Sequence, residues 1–347
     1  MALWLVRAGK YGEHEPRFFQ DNRVYLTWEE FTGTDLSVAK DYEGIKSLMQ
    51  QQYPGEPARR IGNWSGQVWA FVLATQLGDW VVVPRKSNGS IAVGEVKSGY
   101  TFDPGNAPMY RHYRTVQWLN TDVPRSSFDQ DLLYSLGAIM TVCEIKRNDA
   151  EKRIRAMSKN GWHSVPVAPV SVGKVAKDVN QPDDEAEVDL EQLARDAIAR
   201  VIIQKFKGHG MARLVEAVLK AQGFTTYLSP EGPDKGIDIL AAGGAFGFDS
   251  PRICVQVKSG DTPADRPEFT QLIGAMQSVS ANQGLFVSWS GFKPTVLKEV
   301  PTQFFKVRVW NQEDLIEKLL ENYEKLDQDI QAELPLKRIW TISLPES

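Results

Sequence analysis

A segment with neither helical nor strand periodicity divides the chain into two parts. It runs from His163 to Glu187 as HSVPVAPVSVGKVAKDVNQPDDEAE and is rich in proline, valine and acidic residues, which is typical of interdomain linkers. The whole chain has 347 residues, enough for two domains on the usual scale of about 100–200 residues each. We therefore predict a first domain at 1–162, a linker at 163–188 and a second domain at 189–347.

The first part contains several short runs that are typical of strands. The clearest unit is GDWVVVPRKSNGSIAVGEVKSGY, which predicts a strand at Trp80–Val83, a turn at Ser87–Gly89 and a strand at Ile91–Val96. Further strand-like runs are LWLVRAG, VYLTW and YRTVQWL, while WAFVLAT fits either a strand or a short helix. A helix is predicted at about 149–159.

The second part alternates helical and strand patterns. A helix is predicted over Asp189–Phe206, with Asp189 as its N-cap, and a second helix follows as MARLVEAVLKAQ. Strand-like runs then alternate with a helix around Pro267–Ser280, and a further helix covers QEDLIEKLLENY. This order predicts an α/β domain with a mixed sheet.

Composition excludes several classes of protein. The net charge of −4 gives no overall basic footprint, although a local positive cleft remains compatible with it. The two cysteines, Cys143 and Cys254, and the four histidines form no zinc-binding pattern. We find no signal peptide and no apolar run near the roughly 18 residues of a membrane span, so we expect a cytoplasmic protein without a membrane partner.

Lys258 stands inside the apolar run VQVKSG, where a lysine needs an explanation because lysine is depleted from strands and rarely buried unpaired. Side chains i and i+2 of a strand share one face, so Gln256 and Lys258 project together, and Asp238 lies one strand earlier. Phosphodiester hydrolysis requires hard oxygen ligands for a divalent metal and a group that orients water. A polar, metal-binding cleft would account for this lysine.

Four segments in this order, FKGHGMARLVEAVLKAQGF, SPEGPDKGIDILAAGG, VQVKSG and GLFVSWSGF, resemble the Mrr-like branch of the PD-(D/E)XK restriction endonucleases over roughly 190–325. The resemblance implies catalytic residues Glu216, Asp238, Gln256 and Lys258. It implies Mg²⁺, for which Mn²⁺ can substitute, held by Asp238, Gln256 and Glu216, with the Val257 carbonyl as a further candidate ligand. Lys258 would orient the attacking water or the phosphate. Gln256 replaces the more usual Glu, and Glu216 would restore the lost charge.

Other residues compete for these roles. Asp234 is a rival metal ligand, although GPDKG is also typical of a tight turn. Gln271 could face the cleft or lie on the surface, and His209 fits a loop contact better than a general base. In the first part, Glu95 and Lys97 with Asp79 upstream form an acid-x-Lys pattern, which we interpret as a cross-strand ion pair on the solvated face of a β-barrel.

The run GDWVVVP…GSIAVGEVKSGY…YRTVQWL resembles the β-barrels of the PUA superfamily, including EVE- and YTH-like readers, over about 64–119. The resemblance implies an α+β domain that holds a flipped modified base in an aromatic cage. The candidate cage residues are Trp28, Trp64 and Tyr100, with Ser65 and Asp103 as polar contacts. Each tryptophan could instead anchor the core.

Together the two parts predict a modification-dependent endonuclease that cuts double-stranded, base-modified DNA of foreign origin, as in a type IV-like restriction system. One active site cuts one strand, so cleavage of both strands implies a homodimer or two successive events. The alternative is a catalytically inactive protein that binds modified nucleic acid and keeps a nuclease-like fold, which the glutamine at 256 supports. RNA as the substrate is a third interpretation.

Overall fold

A computed structural model describes residues 1–28, 33–164, 189–232 and 236–340, which form two compact units, Met1–Asp196 and Ala197–Ser347. All but the first two residues of the predicted linker lie outside the described residues, as does the rival ligand Asp234. No helix in the described ranges is long and apolar enough to cross a bilayer.

The first unit is built on a seven-stranded sheet. Its strands are β1 (Leu3–Val6), β2 (Arg23–Tyr25), β3 (Trp80–Pro84), β4 (Ser90–Val96), β5 (Thr101–Phe102), β6 (His112–Pro124) and β7 (Val142–Glu144). The order is β2-β6-β4-β3-β1-β7, with β5 paired to β6. Strands β1 and β3 are parallel and the other pairs are antiparallel, so β3 and β4 form the predicted hairpin.

Among the described residues, the α-helices that accompany this sheet are α1 (Glu15–Asp21), α2 (Tyr42–Gln52), α3 (Ala58–Trp69), α4 (Gln130–Ser135) and α5 (Ala150–Lys159). Short 3₁₀ turns lie at Leu36–Val38, Pro108–Tyr110, Arg125–Ser127 and Arg147–Asp149. Every residue of β3 is buried, and its alternate side chains enter two separate cores, with Val81 and Val83 in one and Trp80 and Val82 in the other. A strand covered on both faces explains the continuous apolar run.

The ambiguous run WAFVLAT is helical. Helix α3 continues as a π-helical turn over Ala70–Ala74. The buried guanidinium of Arg114 donates hydrogen bonds to the carbonyls of Phe71 (2.7 Å) and Val72 (3.0 Å), and burial lowers the pKa of Arg114 to about 10. These bonds satisfy carbonyl groups at the end of the helix.

Helix α6 (Leu190–Phe206) starts in the first unit. Gln192 N donates to Asp189 Oδ1 at 3.0 Å, which confirms the predicted N-cap. The buried Asp196 carboxylate accepts two hydrogen bonds from Arg125, at 2.7 and 2.5 Å. These contacts connect the first turns of α6 to the first unit. The residues from Ala197 onward belong to the second unit.

The second unit contains a five-stranded mixed sheet, as predicted. Its strands are β8 (Thr225–Leu228), β9 (Ile239–Gly243), β10 (Asp249–Lys258), β11 (Gln283–Ser288) and β12 (Val307–Trp310). The order is β12-β11-β10-β9-β8; the pairs among β10, β11 and β12 are parallel, and the others are antiparallel.

The helices of the second unit are α7 (His209–Ala221), α8 (Arg266–Ser278), α9 (Pro294–Leu297), α10 (Gln312–Asn322) and α11 (Gln328–Glu333), with 3₁₀ turns at Val300–Gln303 and Tyr323–Lys325. Helix α7 packs on β8, β9 and β10, where Val255 and Val257 join its core. Helix α8 packs on β10 and β11 against a second core that contains Cys254. Because side chains alternate along a strand, those of Gln256 and Lys258 lie on the sheet face that α8 covers.

Candidate active site

Asp238 is held at the point where β9 and β10 separate. Its backbone N–H donates to the Val255 carbonyl at 3.0 Å, and its Oδ2 accepts a hydrogen bond from Val257 N at 2.7 Å. Ile239 pairs with Val255, and extending this antiparallel register by one residue places Asp238 opposite Gln256. The Asp238 carboxylate accepts the hydrogen bond that a backbone carbonyl would accept in a regular β-ladder. This bond holds the carboxylate against β10, the strand that carries Gln256 and Lys258.

Gln256 is fully buried, yet its Oε1 and Nε2 have no hydrogen-bond partner among the described residues. Such groups are rare in proteins and cost about 1–3 kcal/mol each when left unsatisfied. Gly236 (φ +81°) leaves the space beside this carboxamide, because a Cβ there would lie 3.0 Å from Gln256 Nε2 and 2.8 Å from Gln271 Nε2. The two amide side chains therefore converge over one glycine.

Lys258 projects from the same face of β10 as Gln256, and its Nζ lies 3.9 Å from Glu268 Oε1. The other oxygen of Glu268 accepts a hydrogen bond from Asp265 N at 2.9 Å in the capping box that starts α8. Sequence reasoning missed Glu268, although the pattern Asp-x-x-Glu before an apolar run is a known helix start. The capping box therefore fixes a carboxylate near the lysine.

Glu216 does not join this group. Its Oε1 accepts a hydrogen bond from Thr226 Oγ1 at 2.8 Å and lies 3.1 Å from Lys220 Nζ. Thr226 pairs with Ala241, whose side chain belongs to the core beneath α7, whereas Gln256 projects from the opposite face of the sheet. The Glu216 carboxylate thus joins α7 to the edge strand β8, and its metal-binding role stays a prediction.

The remaining candidates have ordinary positions. His209 is the half-buried first residue of α7, and the preceding Gly208 donates its N–H to Ser259 Oγ at 2.8 Å. Gln271 is exposed on α8, although its amide reaches Gly236. Burial first, and then the nearby charge of Asp238, raise the pKa of the Cys254 thiol to about 11. This cysteine therefore stays a neutral core residue at physiological pH.

The donor set fits a hard divalent cation that keeps much of its water. Asp238 supplies a carboxylate and Gln256 supplies a buried amide oxygen that lacks a protein partner. Mg²⁺ prefers oxygen ligands and is commonly bound through one or two carboxylates plus waters and substrate phosphate. Within the described ranges, no three His, Cys, Asp or Glu side chains form a metal-binding group. The substrate and water would have to complete the coordination.

We expect Gln256→Met to separate stability from activity. Methionine has a similar length but carries no amide to leave unsatisfied, so the free energy of unfolding should rise by about 1–2 kcal/mol. DNA cleavage should fall by about 10²-fold, because the oxygen donor is lost. Urea denaturation and single-turnover cleavage measure the two effects. Wild-type cleavage by the variant would contradict a role for this amide in catalysis.

The acid-x-Lys pattern of the first unit is structural. Lys97, the residue after β4, pairs through its Nζ with Glu95 Oε1 at 2.6 Å near the surface, so the ion pair lies within one segment and does not cross between strands as expected. The buried Asp79 carboxylate accepts hydrogen bonds from Ala2 N, Trp4 Nε1 and Gln76 N at 2.8–3.0 Å. Burial acts to raise the pKa of Asp79, but these three donors outweigh it and the pKa lies below its usual range. Its bonds tie the start of β1 to β3.

Replacement of Asp79 by alanine should destabilise the first unit without a direct effect on cleavage chemistry. It leaves three donors unsatisfied, for which we expect a loss of at least about 2 kcal/mol, measured by urea denaturation. The lowered pKa means that the stabilisation is present above the unfolded-state pKa of about 3.9 and is lost as the pH falls below it. Glu95→Gln, at an exposed pair, is the control and should change stability by less than about 1 kcal/mol.

Three aromatic rings predicted to form a cage pack against one core of the first unit. Trp28 and Trp64 are half-buried there, and Trp64 lies 4.7 Å from the Tyr53 ring with Arg60 over its face at 5.6 Å. Tyr100 OH lies 2.7 Å from His112 Nδ1, accepts from Leu36 N at 3.2 Å, and has its pKa raised by burial. The rings keep a structural role in this core.

The two predicted polar contacts of the cage are used locally. Ser65 is fully buried and its Oγ donates to the Ile61 carbonyl, one turn earlier in α3, at 2.6 Å. Asp103 accepts hydrogen bonds from Gly105 N at 2.9 Å and Asn106 Nδ2 at 3.2 Å, as an Asp does in a tight turn. Both side chains thus have partners within their own segments, and their contact with a base stays a prediction.

Two family models match separate parts of the chain. Residues 203–319 match the family model Mrr_cat, described as a restriction endonuclease, which confirms the family predicted for the second part. Residues 4–145 match a domain of unknown function, DUF8426. No curated protein matches the chain.

Solved structures give weaker likenesses. The DNA modification-dependent restriction endonuclease AspBHI is 16% identical over 82% of this chain and 76% of its own, with a TM-score of 0.34. The MspJI restriction endonuclease in complex with a 27-mer oligonucleotide is 13% identical over 97% and 80%, with a TM-score of 0.31. AF1548, a protein of unknown function, is 19% identical over 39% and 79%, with a TM-score of 0.26.

Proposed function

We propose that this chain, whose residues 203–319 match a restriction endonuclease domain, hydrolyses phosphodiester bonds of base-modified double-stranded DNA with a divalent metal. The observation that carries the proposal is the group formed by Asp238, Gln256 and Lys258. One carboxylate is pinned by β10, one buried amide lacks a partner, and one amine projects from the same strand face. This arrangement holds the three chemical functions that the reaction needs.

Asp238 and Gln256 would hold Mg²⁺, or Mn²⁺ in its place. When bound, such an ion lowers the pKa of a water molecule and draws charge from a phosphate oxygen. The Lys258 ammonium would donate to the attacking water or to a non-bridging phosphate oxygen and so stabilise charge that develops in the transition state. Glu268 limits the positions of that amine, since its carboxylate lies 3.9 Å away and is itself fixed by the capping box.

For the first unit, we propose a PUA-like module that recognises the modified base. Trp28, Trp64 and Tyr100 are the candidate aromatic contacts, with Ser65 and Asp103 as candidate polar contacts. A flipped base costs a few kcal/mol of stacking, which aromatic rings can return. Segment 163–188 would be the linker, and a homodimer would supply one active site for each strand.

A second candidate function is binding without cleavage. Gln256 is neutral where an acidic ligand is usual, so the metal site carries one carboxylate instead of two. If the metal affinity is too low for catalysis, the chain would act as a reader of modified DNA. Weak metal binding lowers activity but leaves contacts to the DNA backbone and bases in place.

The test is cleavage of supercoiled plasmids that contain unmodified, methylated or hydroxymethylated cytosine, with Mg²⁺ or Mn²⁺. We expect nicked and linear products from at least one modified plasmid and none with EDTA. Lys258→Ala, purified in the same way, controls for contaminating nucleases. Tight binding of modified plasmid without cleavage under any metal would favour the reader, and the same cleavage by wild type and control would contradict the proposed active site.

A further inference from the structure

A cavity of about 380 Å³ opens beside the edge of the nuclease sheet. Its lining consists of Tyr227, Ile237 and Leu240 together with residues 229–232. This volume falls in the range of about 300–1,000 Å³ that is typical of small-ligand sites. None of the roles proposed above uses this cavity.

The cavity lies on the same sheet face as the Gln-x-Lys pair. Tyr227 pairs with Leu240, and Leu240 pairs with Cys254, so these three form one row across β8, β9 and β10. Asp238 and Gln256 form the next row on this face, two residues from Leu240 and Cys254 along their strands. Two residues of a strand span about 7 Å, so the cavity adjoins the metal-binding row. Helix α8 packs on β10 and β11, whereas Tyr227 of β8 and Leu240 of β9 line the cavity.

The lining suits a flat apolar ring with a polar edge. Tyr227 presents a ring that is 58% exposed, next to the half-buried side chains of Ile237 and Leu240. The exposed Glu231 is the lining's carboxylate, and the described lining contains no lysine, arginine or histidine. A phosphate would be repelled there. A carboxylate is instead the acceptor that pairs with the exocyclic amine of a base such as cytosine or adenine.

We propose that this cavity receives a single nucleobase of the DNA substrate, from a nucleotide next to the phosphodiester that is cut. The proposal rests on the proposed nuclease function. Tyr227 stacks on the base and Glu231 accepts a hydrogen bond from its amine. Stacking of one base on an aromatic side chain changes affinity by about 5- to 100-fold, and every base has a face to stack. The cavity would thus fix the register of the cut strand relative to Asp238.

Photocrosslinking in Ca²⁺ tests occupancy without cleavage. The full chain is bound to duplexes that carry methylated or hydroxymethylated cytosine and one 5-iodocytosine at successive positions, then irradiated and analysed by mass spectrometry. We expect one position to give an adduct on Tyr227. Complexes whose adducts occur only at other aromatic residues, such as the exposed Phe246, would overturn the cavity proposal. If no duplex forms a complex, DNA binding itself fails, which contradicts the proposed function as well.

Cleavage kinetics give an independent readout. Tyr227→Ala should lower kcat/KM by about 5- to 100-fold, Tyr227→Phe should keep most of it, and Phe246→Ala, another exposed aromatic of the same unit, is the matched control. An abasic nucleotide at the crosslinked position should reduce wild-type cleavage to the level of Tyr227→Ala and leave that variant unchanged. If Tyr227→Ala and the abasic nucleotide each lowered cleavage independently, so that their effects multiplied, the cavity proposal would be overturned. The nuclease function would still stand.

Discussion

Replacement of Lys258 by alanine is expected to lower the single-turnover rate of DNA cleavage by about 10²–10³-fold, or about 2.7–4 kcal/mol of barrier. The ammonium is the positive group that projects with Gln256 from β10, so its loss removes charge stabilisation from the transition state. The lysine is partly exposed, with 38% of its side chain accessible, and truncation should leave the fold intact. Quenched-flow cleavage of an end-labelled duplex measures the rate.

Two comparisons make the Lys258 result specific. DNA affinity in Ca²⁺ should change much less than the cleavage rate, because the main effect is on the transition state. Lys97→Ala removes a lysine from the other Val-Lys-Ser-Gly segment, where the amine pairs with Glu95, and should cleave at the wild-type rate. Loss of cleavage in Lys97→Ala with retention in Lys258→Ala would place the active site in the first unit.

Asp238→Asn should reduce cleavage by at least about 10³-fold, since one substitution removes both a metal ligand and its negative charge. Asparagine keeps an oxygen that can accept the hydrogen bond from Val257 N, now 2.7 Å from the carboxylate, so the separation of β9 and β10 is preserved. Titration of Mn²⁺ followed by electron paramagnetic resonance should show weaker binding by the variant. Higher Mn²⁺ concentration should recover part of the cleavage rate.

Glu216→Gln is the matched control for Asp238→Asn. It also neutralises one carboxylate of the same unit, but that carboxylate bonds to Thr226 and Lys220. We expect the Mn²⁺ affinity to be unchanged and the cleavage rate to remain within about threefold of wild type, because the glutamine can still accept from Thr226. A large loss of Mn²⁺ binding in Glu216→Gln would instead support the metal-binding role that the sequence resemblance implies.

The neutral side chain of Gln256 should lower the affinity of the site for a divalent cation. A site with one carboxylate attracts a divalent cation less strongly than a site with two, since each charge contributes to the Coulomb attraction. Gln256→Glu should therefore increase Mg²⁺ affinity. The phosphate of bound DNA supplies the next negative charge in the cleft. Metal affinity should consequently rise when DNA is present, a linkage that the same titration can measure.

The sequence by itself determined that Gln256 and Lys258 lie on one face of a strand. Side chains of a strand alternate with a period of two, so residues i and i+2 share a face whatever surrounds them. Helix starts were likewise local, as the Asp189 N-cap shows, because a cap bonds to backbone groups two or three residues away. Short-range geometry of this kind depends only on residues that are close together in the sequence, so it can be predicted from the sequence.

Only the tertiary structure decided which other residues reach that face. Glu216 stands on the helix that covers the opposite face, and Glu268 approaches Lys258 because α8 packs across β10 and β11. Ser65 is buried in a helix, whereas Tyr227 faces a cavity. The face that a helix covers follows from burial of apolar surface between segments far apart in sequence, which no local pattern specifies.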